Sequence, residues 1–286
     1  MLKTNKDRLV QIGLEGPIAH PISKSPYKIK TDGTVITLPG TGGITLNVAV
    51  GDPACGWVAD HVEPGVSLRI KEEPENSAFN TLACIGNLAQ VVSGEAKGAT
   101  GWVTGKHGGI EHVLAWFDKE TLLKLAIGDR ISVRSWGTGL KIVDAPQVAV
   151  HNLDPELLER MELRIVDGVL EVPVTTSVPA HLMGSGIGDL TTHRGDYDIM
   201  TADPEAFARY NLEHLRLGDL VELQDCDNRF GRGYLKGAVS IGVVTHSDCV
   251  LTGHGPGVTT LFTCNKPLLR GVTSSEANIG KWLGIF

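Results

Sequence analysis

Short β-branched segments recur along this chain, each stopped by Gly, Pro or Asp, and that rhythm confines it to strand-rich folds. TVITL (34–38), ITLNVAV (44–50), VSLRI (66–70) and RISVRSW (130–136) occupy the first half. VLEVPVTT (169–176), LVELQD (220–225), AVSIGVV (238–244) and TTLFT (259–263) occupy the second. Many alternate apolar and polar residues, the period-two pattern of a half-buried strand. AVSIGVV is of strand length and far too short to span a bilayer.

Helical signals are fewer. Asp154-Pro155 and Asp203-Pro204 each set an N-cap acid before a proline at the first helical position. DKETLLKLA (118–126) reads as a third short helix. SAFNTLACIGNLAQVV (77–92) reads as a buried one, whose Ala78, Ala83, Cys84, Gly86 and Ala89 would admit a close neighbour. Gly86 weakens it by about 1 kcal/mol relative to alanine. The expected class is therefore α+β and β-rich: two similar-sized halves with barrel-like or sandwich-like sheets and a few short helices. A change of texture around DAPQVAVHNL (144–153) divides the chain into an N-terminal β-rich domain, 1–150, and a C-terminal α+β domain, 151–286. TLLKLAIGDRISVRSWG (121–137) and YNLEHLRLGDLVELQDCD (210–227) echo one another as helix, Gly-Asp turn and strand. That echo is read either as a duplicated barrel-like unit or as a common local solution.

Charge narrows the partners. The net charge is −7 and the lysines and arginines are scattered, so no basic face with interleaved aromatics exists for nucleic acid. Anionic membrane surfaces are disfavoured for the same reason. The N-terminus lacks the apolar core and cleavage site of a secretory signal. Five cysteines, Cys55, Cys84, Cys226, Cys249 and Cys264, form no C-x-x-C. Free thiols in a reducing, cytoplasmic setting are expected. The 35 glycines follow no period, which suits tight turns and close backbone approaches.

Several familiar motifs nearly fit. GWVTGKH (101–107) has Gly101 one residue too close to Gly105-Lys106 for a P-loop, and His107 where a magnesium-binding hydroxyl belongs. HGGIEH (107–112) is one residue too long for H-x-x-E-H, and Gly108-Gly109 oppose a helix. In AVSIG (238–242) the following valines prolong a strand, so Ser240 is no nucleophile elbow. GSGIG (184–188) lacks the flanks of a dinucleotide fingerprint. Cys84, amid small apolar residues, reads as inert core.

Two concentrations of chemistry remain. Thr104, Lys106, His107, Glu111 and His112 surround two glycines, as in substrate-orienting loops. The plainer reading is a solvated turn. The second group runs Asp225, Asp227, Arg229 and Arg232, then His246, Asp248 and His254. His246 and Asp248, two apart, share a side if the strand continues through them. Imidazole with carboxylate suits a divalent metal ion, or a base held by its acid. The plainer reading is that these histidines cap turns.

Three stretches, GEAKGATGWVTGKHGGIEHV (94–113), LxxGDxIxVRxxGxGL (125–140) and FGRGYLKGAVSIGVVTHSD…GHGPGV (230–258), resemble the prokaryotic domain-of-unknown-function family 4438. The resemblance spans most of the chain. It implies a β-rich cytosolic protein and carries over no functional residues. A more distant similarity, to the acetamidase/formamidase group, lies in Gly-Asp–strand barrels with glycine-rich loops; no catalytic motif of that group matches here.

The leading expectation is an enzyme acting on a small polar molecule, with hydrolysis of amide-type bonds as one form. Lys106, His107 and His112 would orient substrate or move protons, and His246, Asp248 and His254 would hold a divalent metal ion or form a base. The alternatives are a non-catalytic small-molecule binder and a structural homo-oligomer packed through its glycines. A homo-oligomer is expected under each reading. Residues 104–112 and 246–257 are expected to line one cleft, with His107 or His112 facing His246 or His254.

Overall fold

The computed structural model describes residues 2–23, 25–184, 191–200 and 202–286. GSGIG (184–188) falls on residues outside the described ones, apart from Gly184. The first half contributes β1 (Ile12–Pro17), β2 (Lys28–Ile29), β3 (Val35–Ile36), β4 (Val66–Leu68), β5 (Leu88–Val91), β6 (Thr100–His107), β7 (His112–Trp116) and β8 (Arg130–Ser135). Helices α1 (Glu73–Leu82) and α2 (Lys119–Leu122) interrupt them. Six of the strands form one sheet in the order β1-β8-β5-β6-β7-β4, and β2 pairs with β3 as a separate ribbon.

The second half contributes β9 (Ala149–Val150), β10 (Arg164–Val166), β11 (Val169–Val174), β12 (Thr176–Pro179), β13 (Tyr197–Asp198), β14 (Leu220–Cys226), β15 (Tyr234–His246), β16 (Gly257–Cys264) and β17 (Leu269–Thr273). Its helices are α3 (Pro155–Arg160), α4 (Pro204–Arg209) and α5 (Ile279–Leu283). The main sheet runs β12-β14-β15-β16-β13, with β9 also on β16, and β10-β11-β17 form a smaller sheet. The chain is thus β-rich α+β with short helices.

Local signals translate directly. Asp118, Asp154 and Asp203 accept backbone N–H groups at the starts of α2, α3 and α4. The two Gly-Asp turns have the same geometry. Gly128 and Gly218 both take φ 89°, Asp129 Oδ2 accepts from Ala126 N at 2.8 Å, and Asp219 Oδ2 accepts from Arg216 N at 2.9 Å.

Three readings need correction. Residues 44–50 form no strand, and their one strand-type pairing among the described residues is the Ile44–Val66 bridge; Val48 and Val50 are buried by packing rather than by pairing. The helix read over 77–92 starts earlier and stops at Leu82. Gly86 then takes φ 95°, and a Cβ there would meet Leu157 Cβ at 2.8 Å and Asp154 Cβ at 2.9 Å. The small residues do admit a close neighbour, but it is a turn that packs on α3. Finally, the TGKHGGIEH segment is no loop: β6 and β7 form a hairpin in which only residues 108–111 turn.

One core lies under the first sheet, around Val66, Val103, Val113, Ile131 and Val133. A second spans both halves, joining Ile85, Leu153 and Leu157 to Ile241, Val243 and Phe262. The sheets meet where β6 crosses β15 and β16. There Thr259 Oγ1 donates to Lys106 O at 3.1 Å and Thr245 Oγ1 donates to the same carbonyl at 3.4 Å. All five cysteines are unpaired. Among the described residues no helix is long and apolar enough to cross a membrane.

Candidate functional site

The ends of β6, β13, β15 and β16 converge at this junction. His107 ends β6 and His112 opens β7; they are register partners, so their side chains share one face. His246 ends β15 opposite Gly257, and Gly257 in turn stands opposite Asp198 of β13. Asp196, just before that strand, and Asp198 both approach His246 Nε2, at 2.6 and 3.7 Å. Gly257, the middle member of this row, carries no side chain, and the groups on either side close over it.

The two segments singled out in the sequence do meet. The His107 and His246 rings lie 4.2 Å apart between centroids. His61 stands 5.1 Å from His246 and 4.8 Å from His254. His61, His107 and His254, together with Asp60, Asp196 and Asp198, wall a cavity of about 380 Å³, within the range of small-molecule sites, and His246 is buried behind them.

Each buried histidine of this site is fixed through Nδ1. His246 Nδ1 is 2.8 Å from the Ser247 carbonyl oxygen, an obligate acceptor, so Nδ1 bears a hydrogen. His61 Nδ1 lies 2.9 Å from Asp60 Oδ1. His107 Nδ1 is hydrogen-bonded to Glu63 Oε1. In each ring the nitrogen left over is Nε2. Metal-ligating histidines are characteristically oriented this way, by an acceptor on the far nitrogen.

His246 Nε2 lies 2.6 Å from Asp196 Oδ2. A neutral imidazole nitrogen and a carboxylate oxygen are both acceptors, so this approach needs a cation, either a proton on Nε2 or a metal ion. Burial disfavours the imidazolium, but the Asp196 carboxylate, its hydrogen bond and Asp198 outweigh burial and lift His246 to about 9. Burial likewise pushes Glu63 up, yet His112 and His107 more than offset it and hold the carboxyl well below its usual range.

Donor atoms fall into compact groups: His107, Asp196 and His246; His61, Asp198 and His254; and Asp60, His61 and Cys249, each within 4.8 Å. Backbone amides steady the carboxylates, Gly108 N donating to Asp196 Oδ1 at 2.7 Å and Gly255 N to Asp198 Oδ2 at 3.3 Å. His61 adopts φ 50°, a left-handed conformation costing a non-glycine residue about 1 kcal/mol or more. Strain of this kind concentrates at functional sites.

His107, His246 and His254 are therefore gathered, and three other expected members are not. Asp248 does not pair with His246: the strand ends at His246, and Asp248 Oδ2 accepts from Gly56 N at 2.9 Å instead. His112 is buried behind the site, its Nδ1 2.9 Å from Glu63 Oε2, so its place is to hold the carboxylate that holds His107. Lys106, beside His107 on a strand, points to the opposite face, where Nζ donates to Asn152 Oδ1 and His193 O, each at 2.7 Å. Asp227 pairs locally with Arg229 at 2.8 Å, and Asp225 caps Gly237 N. Ser240 is a buried strand residue that donates to Cys226 O.

Sequence reading missed His61, Glu63, Asp196 and Asp198. A spacing signal was present in DHVE (60–63), where His61 is one residue from Asp60 and two from Glu63, and in DYD (196–198), where the aspartates are two apart.

The Lys106 face makes its own prediction. Burial pulls the ammonium down to about 8. Nearby, His151 has neither ring nitrogen hydrogen-bonded among the described residues, and burial, then His193 and Lys106, drive it to about 4. A folded-state value below the unfolded one means that stability is intact above about 6.5 and is lost as the pH falls towards 4. Between pH 7 and pH 4.5 the loss through His151 is roughly 2–3 kcal/mol. Urea unfolding at the two pH values should show His151→Phe losing less stability than wild type by that amount; equal losses would refute the assignment.

Compared with known proteins, residues 27–159 match the family described as domain of unknown function (DUF4438), N-terminal, and residues 160–283 match its C-terminal counterpart. A solved structure described as "Crystal structure of TM1086" is similar at 49% identity with a TM-score of 0.94, covering 98% of this chain and 99% of that one. No curated protein matches.

Proposed function

The chain belongs to the DUF4438 family, and from that premise we propose that it is a divalent-metal-dependent hydrolase of a small polar molecule. One observation carries the reading: the Nε2 atoms of His61, His107 and His246 meet Asp196 and Asp198, and His61, His107 and both aspartates line one cavity with His246 buried directly behind it. Imidazole and carboxylate together suit zinc, manganese or ferrous iron. When bound, such an ion would supply a water deprotonated near neutral pH and would polarise the bond under attack. His254, whose side chain is 43% exposed beside Asp198, adds a further imidazole at the cavity wall. Lys28, 3.0 Å from Asp60, places a positive charge on the cavity wall for a substrate's polar end. Lys106 and His112 take no direct part in this reading. Amide-type bonds are the first substrates to try.

The test begins with elemental analysis of protein purified without chelators, followed by amide, ester and phosphoester panels on chelator-treated and zinc- or manganese-reloaded protein. The expected result is bound transition metal and a hydrolysis that disappears on chelation and returns on reloading. Protein that neither retains nor takes up either ion at micromolar concentration sinks the proposal. Metal without turnover would favour a small-molecule binder using the same cavity.

A further inference from the structure

We infer that this centre takes two divalent cations, with Asp198 bridging them. The inference rests on the metal reading above and extends it to the number and order of ions. Of the three compact donor groups, the two built wholly of imidazoles and carboxylates share no residue: His107, Asp196 and His246 inside, and His61, Asp198 and His254 outside; the third, Asp60, His61 and Cys249, overlaps the outer one at His61. The six donors do not gather into one group within 4.8 Å but into two, so they are the shells of two ions rather than of one.

Asp198 faces both triplets. Its Oδ1 lies 3.7 Å from His246 Nε2 in the inner group, and its Oδ2 lies 3.3 Å from His254 Nδ1 in the outer one. A carboxylate that presents one oxygen to each of two ions suits the separation of about 3.5–4 Å found in two-metal hydrolytic sites. The rings agree with this spacing: His61 sits 5.1 Å from His246 and 4.8 Å from His254, against the boundary between the groups.

Charge points the same way. Asp60, Glu63, Asp196 and Asp198 bring four carboxylates to the site, and Lys28 is the cation paired with Asp60. Carboxylates thus dominate a largely buried site, and buried negative charge of this density favours divalent cations as its counter-charge.

Exposure sets an order. The inner residues His107, Asp196 and His246 are 8%, 5% and 0% exposed, whereas His254 lies at the cavity mouth. The inner ion should bind first and exchange slowly; the outer ion should bind second and exchange readily.

Titration of metal-free protein with zinc alone, followed by calorimetry and native mass spectrometry, tests this. Wild type is expected to take two ions per chain in two resolved steps. His254→Ala, at an exposed position, should keep the first step and weaken the second by about 100-fold or more, beyond the effect of losing an outer-shell partner. Asp198→Asn should weaken both steps, the second more, because the amide cannot serve two cations as a shared anion. Circular dichroism and thermal melts of each metal-free variant establish that the fold is kept. One ion per wild-type chain overturns the two-ion inference and leaves the metal reading standing; no ion overturns both. Two ions with unchanged affinities in Asp198→Asn overturn the bridge.

Discussion

Glu63→Ala is expected to destabilise the protein by about 3–5 kcal/mol, among the largest effects of any single side chain outside the apolar cores. Glu63 is 2% exposed and accepts from His107, from His112 and from Ser67 Oγ. Removing it strands three buried donors, each costing about 1–3 kcal/mol with partial relief from entering water. Loss of one partner from a buried ionic group gives the same range. For a chain of this length the melting temperature should fall by roughly 10 °C. Glu63→Gln separates structure from function: it keeps one acceptor oxygen and most of the stability, but it turns an amide towards His107 or His112. If His107 is a ligand, zinc affinity should fall by about 10–100-fold in the glutamine variant, the usual effect of disturbing a ligand's outer partner. Urea unfolding and zinc titration read the two effects separately. A Glu63→Ala loss under about 1 kcal/mol would mean that the three donors find other acceptors.

That residue also shows where sequence reasoning stopped. Capped helices and Gly-Asp turns were legible because their causes lie within four residues: Asp154 and Asp203 cap their own helices, and Asp129 and Asp219 bond amides three residues back. The β6–β7 hairpin was hidden, since TGKHGGIEH read as a polar loop. Yet from Val103 onward β6 is buried on both faces, with no alternation to detect. Once that segment is a strand, Lys106 and His107 cannot serve the same cavity. The shared cleft was legible for a different reason: imidazoles set among glycines, in both segments, mark backbone that approaches other chain closely. Asp196, Asp198, His61 and Glu63 come from segments of ordinary composition, and they join the histidines only through the pairing of β13 with β16 and the turn at His61. No local pattern encodes that pairing. Asp248 was misplaced because the period-two rule was carried past His246, where the strand ends.

Gly257→Ala is expected to disable the centre while leaving the rest of the fold nearly intact. Gly257 is the first residue of β16, and its backbone is not among the positive-φ glycines. An alanine therefore meets no conformational penalty there. What it meets is the site. Its Cβ would fall 1.9 Å from Asp196 Oδ2 and 2.1 Å from His246 Nε2, the two atoms already 2.6 Å apart. Neither group has free space, since His246 is 0% exposed and its Nδ1 is bound to the Ser247 carbonyl. One of them must swing out of line. Overpacking of this kind costs about 1–3 kcal/mol in the metal-free protein. The effect on zinc should be larger, a loss of about 100-fold or more, because two proposed ligands are displaced directly rather than through an outer partner. Gly253→Ala in the same loop region, where nothing lies within 4 Å of the added Cβ, serves as the control: its φ of 86° strains the backbone without touching a donor atom. Zinc affinity lost in Gly257→Ala and kept in Gly253→Ala places the effect at the Asp196–His246 pair. Equal affinities in both variants would mean that the ion, if one binds, does not sit between those two residues.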